Sequence, residues 1–251
     1  MSFLSSRLMA ASLASALSMG AAWAQDATTA ETPAQTPAEA PAASAPATDA
    51  PAEVTLPAGE RVTIVEDAEP EKYVSDIVLG DPDAPLTIVE YASFTCVHCA
   101  NFHRDVFPQL KSEFIDTGRV QFIQRDVYFD AVGLWAGVLA RCAGEERYYA
   151  VGGMLLDEQP QWASAQTGEQ YAENLRRMGA LAGMTTEQMD ACWADEAQTE
   201  RLVATFQRNA TADGVQATPT FVIGGEKVAN APWDQLRATI EGKLAEVETA
   251  N

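Results

Sequence analysis

The sequence predicts an α/β fold: a βαβ unit, then a long all-helical insertion, then a closing ββα segment. Three observations predict it. Two short apolar, β-branched runs, Leu86–Tyr91 and Val120–Gln124, flank a helical pattern. Residues 130–213 carry apolar side chains at helical spacing with no strand signal among them. Two further strand-like runs, Thr220–Ile223 and Glu226–Ala229, flank Gly224-Gly225 and lead into a last amphipathic stretch.

Each element has its own local reason. Leu86–Tyr91 is apolar apart from Thr87 and the single acid Glu90, as expected of a strand buried on both faces. The helix after it runs through Phe102, Val106 and Leu110, and Pro108 should kink it, because proline lacks the N–H that a helix interior needs. Gly118 marks the turn into Val120–Gln124. Strand, helix and strand in that order imply parallel pairing. In the insertion, Val132, Trp135, Val138, Leu139 and Cys142 share a helix face. Thr185 with Gln188 makes a capping box, and Met184 with Met189 fits the accompanying hydrophobic staple. The helix that follows runs through Met189 and Cys192, and another from about Ala197 to Ala212 stops before Gly214. Gly224-Gly225 permits the positive φ angles of a tight hairpin. Pro232 opens the last helix where its missing N–H costs nothing.

The ends of the chain read differently. Arg7, the apolar stretch Leu8–Ala22 and Ala22-Trp23-Ala24 together form a signal-peptide pattern with cleavage expected after Ala24. The stretch is short and interrupted by serine for a membrane-spanning helix. No cysteine lies near that point, so a lipid anchor there is not expected. Residues 25–57 are mostly Ala, Pro, Thr and acid, with prolines at 33, 37, 41, 46, 51 and 57, and read as a disordered acidic tether. The expected organisation is therefore a signal peptide at 1–24, a tether at 25–57, a first core portion at 58–129, the helical insertion at 130–213, and a second core portion at 214–251.

The formal net charge is −20, and removal of the signal segment with Arg7 leaves −21. Like charges repel, so nucleic acid and anionic membrane are poor partners. The four cysteines, at 96, 99, 142 and 192, are too few and too unevenly spaced for a small stapled scaffold. Two are adjacent and two distant, which suggests two different jobs.

The chemistry centres on Cys96-Val97-His98-Cys99. Two cysteines three apart at a helix start lie within one turn of each other. The free N–H groups and the positive dipole end there favour a thiolate at Cys96. A thiolate is the nucleophile of disulfide exchange, so Cys96 attacks or is attacked, and Cys99, one turn deeper, resolves the mixed disulfide. His98, as donor or cation, would stabilise the Cys96 thiolate further. Each unit by which the thiol pKa falls below ambient pH stabilises the reduced pair by about 1.4 kcal/mol, or about 30 mV of oxidising power. The rival chemistry is metal binding: the chain's two histidines, His98 and His103, both stand beside the cysteine pair, and Cys with His could hold Zn²⁺ or copper. The surrounding βαβ pattern favours redox, so no metal and no cofactor are expected. Glu90, a lone charge in an apolar strand, should have its pKa raised by burial and could relay a proton to or from Cys99.

Phe94-Thr95-Cys96-Val97-His98-Cys99-Ala100-Asn101-Phe102-His103, taken with Gly214-Val215-Gln216-Ala217-Thr218-Pro219-Thr220-Phe221, resembles the DsbA-like branch of the thioredoxin superfamily over about residues 62–248. The resemblance implies a thioredoxin fold with a helical domain inserted after the second strand of the βαβ unit. It implies oxidation or shuffling of disulfides in exported proteins. It makes Pro219 the family's cis-proline facing the cysteine pair, and leaves the Thr218 backbone free to pair with a substrate strand. It places Glu90 at the family's buried-acid position. The contexts of Cys142 and Cys192 resemble those of members with a second, structural disulfide; the chain-entropy model gives such a loop about 4 kcal/mol. The sequence departs from the better-known oxidants at Val97, where they have proline.

The expected function is thus a periplasmic thiol:disulfide oxidoreductase acting as a monomer on reduced exported proteins, with a DsbB-like membrane quinone reductase as the implied regenerating partner. A disulfide isomerase or reductase is the alternative within the fold, although family isomerases usually carry an N-terminal dimerisation domain that residues 25–57 cannot form. A metal-binding or copper-chaperone module is the alternative from another class. Trp135, Tyr148, Tyr149, Trp162 and Phe206 are expected in the core or rim of the insertion.

Overall fold

The computed structural model describes residues 61–250. The expected signal peptide at 1–24, the expected tether at 25–57 and the first residues of the expected core portion lie outside them. Among the described residues, six strands form one mixed sheet: β1 Val62–Val65, β2 Asp76–Gly80, β3 Leu86–Ala92, β4 Val120–Asp126, β5 Thr220–Ile223 and β6 Glu226–Ala229. Their order is β1-β2-β4-β3-β5-β6. Only β3 and β4 run parallel, joined by the helical crossover that the strand–helix–strand pattern requires.

The central position of β3 explains its composition. Leu86, Ile88 and Ala92 face one hydrophobic cluster, and Val89 and Tyr91 face another on the opposite side of the sheet. A strand covered on both faces is apolar along its length. Glu90 stands on the first of these faces, fully buried, opposite Gln124 of β4 and Phe221 of β5.

The crossover is broken as Pro108 requires. Helix α1 (Val97–Asp105) ends, α2 (Phe107–Leu110) restarts with proline in its first turn, and a π-helical turn, Lys111–Ile115, completes the segment. Between β4 and β5 lie the helices of the insertion: α3 Ala131–Cys142, α4 Tyr148–Asp157, α5 Gln159–Trp162, α6 Gly168–Leu181, α7 Thr186–Trp193 and α8 Glu196–Ala212. The capping box of α7 is formed in both directions, with Gln188 N–H donating to Thr185 Oγ1 at 3.2 Å and Thr185 N–H to Gln188 Oε1 at 2.9 Å. The hairpin between β5 and β6 turns through Gly224 and Gly225 at φ +57° and +84°. Helix α9 (Trp233–Ala250) starts one residue later than expected: Pro232 precedes it, and its carbonyl accepts the N–H groups of Gln235 and Leu236.

Tyrosines seat the insertion on the sheet. Tyr148 donates to Asp126 Oδ1 at 2.6 Å, and Tyr149 to the carbonyl of Ile77 at 2.6 Å. Tyr148, Tyr149 and Trp162 are core residues, as expected. Phe206 packs instead against the cluster on the other face of the sheet. Cys142 at the end of α3 is bonded to Cys192 in α7, with 6.0 Å between Cα atoms. Strands β1 and β2 are additions to the sequence reading. Among the described residues, no helix is long and apolar enough to cross a membrane.

Candidate active site

The chain leaves β3 at Ala92, turns through Ser93–Thr95, and enters α1 with Cys96 as its N-cap, in an extended conformation at φ −82°, ψ 116°. Cys96 is partly exposed and Cys99, one turn later, is fully buried; both are free thiols. The Cys96 sulfur lies 3.4 Å from the carbonyl oxygen of Thr218, to which the thiol donates. Thr218 is joined to Pro219 by a cis peptide bond. The last portion of the chain thus brings Thr218 and Pro219, just before β5, to the cysteine pair.

The two sulfurs differ in character. The Cys96 thiol is pulled down to about 5. A hydrogen bond from the Cys99 thiol is the largest cause, helped by the Thr218 side chain and the N–H groups of Cys99 and His98 against the opposing effect of burial. The Cys99 thiol is pushed up because its proton is held by Cys96, because it is buried, and because Glu90 adds negative charge. As a thiol, Cys96 donates to the Thr218 carbonyl, while the Thr218 side chain favours the thiolate.

Glu90 lies under the pair. Neither of its oxygens has a hydrogen-bond partner among the described residues. Burial, followed by the charges of Cys96 and Asp126, raises its pKa to about 8. His98 is exposed, contributes its backbone N–H to Cys96, and lines a surface depression with Asn101, Asp105, Asn230 and Pro232. His103 is buried, stacks on Phe107 at 4.4 Å between centroids, and has its pKa lowered to about 4 by burial. The two histidines therefore diverge. Among the described residues, no group of three or more His, Cys, Asp or Glu side chains is placed to hold a metal ion.

Two residues of the insertion reach this site without any local signal for doing so. Gln159, at the start of α5, donates through its buried side-chain amide to the carbonyls of Phe94 at 2.7 Å and Cys96 at 3.1 Å. Asp130, the N-cap of α3, accepts from Thr95 Oγ1 at 2.7 Å and from Gly133 N–H at 2.7 Å. As an Asp three residues before Gly133 at a helix start, it was readable as a cap but not as a partner of Thr95. Gln159 sits in a polar stretch, Asp157-Glu158-Gln159-Pro160-Gln161, that gives no sign of burial.

The fold and the site define a thioredoxin-fold protein with a helical insertion and a reactive dithiol at a helix start. The thioredoxin family profile matches residues 72–242. A putative protein-disulfide oxidoreductase of Rickettsia bellii is 32% identical over 173 residues, which is 68% of this chain and 66% of that protein. The disulfide bond formation protein D of Bacillus subtilis is 29% identical over 178 residues, 66% of this chain and 76% of the relative. Against three such Rickettsia relatives, the match spans 66%, 61% and 62% of their own length, just under two thirds. The crystal structure of Wolbachia pipientis alpha-DsbA1 superposes with a TM-score of 0.64 at 27% identity, covering 70% of this chain and 94% of that one. The chain belongs to the thioredoxin family, in its DsbA-like branch.

Proposed function

We propose that the protein is an exported thiol:disulfide oxidoreductase that donates the Cys96–Cys99 disulfide to reduced proteins. The observation that carries this reading is the asymmetry of the pair: a partly exposed Cys96 held as thiolate above a buried Cys99 held as thiol. A substrate thiolate attacks the Cys96 sulfur, the Cys96–Cys99 bond breaks, and the substrate–Cys96 bond forms. Cys99 leaves as a thiolate and takes a proton, for which the neutral carboxyl of Glu90 is the nearby source. A second substrate thiolate then attacks the substrate sulfur of the mixed disulfide. Cys96 leaves as a stabilised thiolate, and the substrate has lost two electrons to the enzyme. In the reverse sense, Cys99 attacks Cys96 and releases the partner.

Stabilising the Cys96 thiolate favours the reduced enzyme, which makes the pair oxidising. The Thr218 backbone beside Cys96 offers a place for an extended substrate segment. Val97 and Phe129 support binding of unfolded chains. They are 56% and 61% exposed, Val97 follows Cys96 directly, and Phe129 precedes the Asp130 that holds Thr95. The signal-peptide pattern with cleavage expected after Ala24 supports a periplasmic site of action, where a membrane quinone reductase of DsbB type would reoxidise the pair. The test is refolding of a reduced, disulfide-dependent protein by the oxidised full chain. Faster appearance of native disulfides than with glutathione disulfide is expected; no acceleration would overturn the reading.

A further inference from the structure

The helical insertion touches the residues leading into the nucleophile from two sides. Asp130 takes the Thr95 hydroxyl at 2.7 Å. Gln159 spans the same residue from the carbonyl side, bonding the carbonyls of Phe94 and Cys96 on either side of it. Gln159 is 6% exposed, and a buried amide is retained at a cost unless its donors are used. Here both donated bonds go to backbone, so the contact reads the path of the chain rather than the identity of its side chains.

The Cys96 carbonyl has a second task. It also accepts the N–H of Ala100 at 3.1 Å, the bond that opens α1. The residue whose sulfur reacts is therefore the residue whose carbonyl starts the helix, and the orientation of that carbonyl fixes how the helix start is turned toward the sulfur. Without the amide, the Cys96 carbonyl keeps the helical bond, and the buried Phe94 carbonyl loses the donor it has from Gln159.

We propose that Gln159 is a positioning residue for Cys96: its amide, donated from the insertion to the carbonyls of Phe94 and Cys96, holds the helix start in the geometry that aims the N–H groups of His98 and Cys99 at the Cys96 sulfur. It touches no substrate and no reacting atom. Its effect passes through the backbone, which gives the helical insertion a part in setting thiolate stability. The inference rests on the reading of Cys96 as the exchange nucleophile.

The experiment is the pH dependence of Cys96 alkylation by iodoacetamide, together with the equilibrium constant of the dithiol against glutathione, in the full chain and in Gln159→Met. Methionine keeps the length and volume but donates nothing. The variant is expected to fold with unchanged circular dichroism, to alkylate with a midpoint at least one pH unit higher, and to shift the equilibrium about tenfold toward the disulfide, equivalent to about 30 mV. Gln159→Glu, whose carboxylate would face the two carbonyls, is expected to move the midpoint in the same direction and further. An alkylation midpoint and an equilibrium constant that match the unsubstituted protein in a folded Gln159→Met chain would overturn the proposal. Loss of the fold in both variants would overturn it too, because Gln159 would then be required by the structure rather than by the thiol. Neither readout needs a protein substrate. A chain that fails to oxidise substrates yet shows the shift defeats the functional reading alone.

Discussion

The Cys96 sulfur lies 3.4 Å from the carbonyl oxygen of Thr218, a residue 122 positions later in the chain. The side chain of the same Thr218 helps hold Cys96 as a thiolate. One residue therefore meets both protonation states of the sulfur, each through a different group.

Thr218→Val keeps the shape of the side chain and its backbone but removes its hydroxyl. A hydrogen bond to a charged group contributes about 1.5–3 kcal/mol, so the Cys96 pKa is expected to rise from about 5 by about one unit or more. Thiolate absorbance at 240 nm during an acid titration of the reduced protein measures it. An unmoved titration would mean that the helix N–H groups and Cys99 suffice.

Glu90 makes the protein less stable as the pH rises. Its folded-state pKa is raised, so its share of stability is complete below about pH 4.5 and is lost as the pH climbs through about 8. Glu90→Leu removes the titration. The variant is expected to gain on the parent between pH 4.5 and 8, by up to roughly 5 kcal/mol if the whole shift is expressed. Urea midpoints of the two proteins across that range give the difference. A constant gap would show that the carboxyl finds water in the folded state.

His103 acts in the opposite direction. Its folded-state pKa is depressed to about 4, so the unfolded chain binds the extra proton first, and stability falls as the pH drops from about 6.5 to 4. The loss amounts to about 3 kcal/mol at the lower limit. His103→Leu should flatten that slope while sparing disulfide exchange at neutral pH. Thermal midpoints at pH 6.5 and 4.5 decide it.

The Cys142–Cys192 bond closes a loop across a sequence separation of 50 residues. The paired variant Cys142→Ala with Cys192→Ala is expected to lose about 4 kcal/mol by chain entropy, seen as a lower urea midpoint with an increased slope. The Cys96 alkylation midpoint should stay in place, because the bond joins α3 to α7 rather than to the active-site turn.

What the sequence revealed and what it concealed divide along physical lines. The central strands, the proline break, the capping box and the Gly-Gly hairpin were readable because each is dictated by residues close in sequence. Strand β2 was not: its apolar run, Ile77–Leu79, is three residues long, and its identity as a strand comes from pairing with β4. Strand β1 depends in turn on β2. At the site, Cys96, Cys99, His98, Glu90, Thr218 and Pro219 stood out through motif, isolation or resemblance. Gln159 and Asp130 did not, because their partners are a backbone and a hydroxyl that come near only when the insertion is in place. His103 also lay outside reach: on the sequence it stood beside His98 as a candidate ligand, and only the direction of the helix face separates the exposed ring from the buried one.

The isolation of Glu90 has a kinetic side. Among the described residues its carboxyl has no hydrogen-bonded neighbour through which a proton could be passed on. Any transfer of that proton has to pass through solvent or to the sulfurs whose charges couple to its own. In the exchange proposed above, this ties the proton of Glu90 to the opening of the disulfide, because the charges that Glu90 feels are those of the cysteine pair and Asp126.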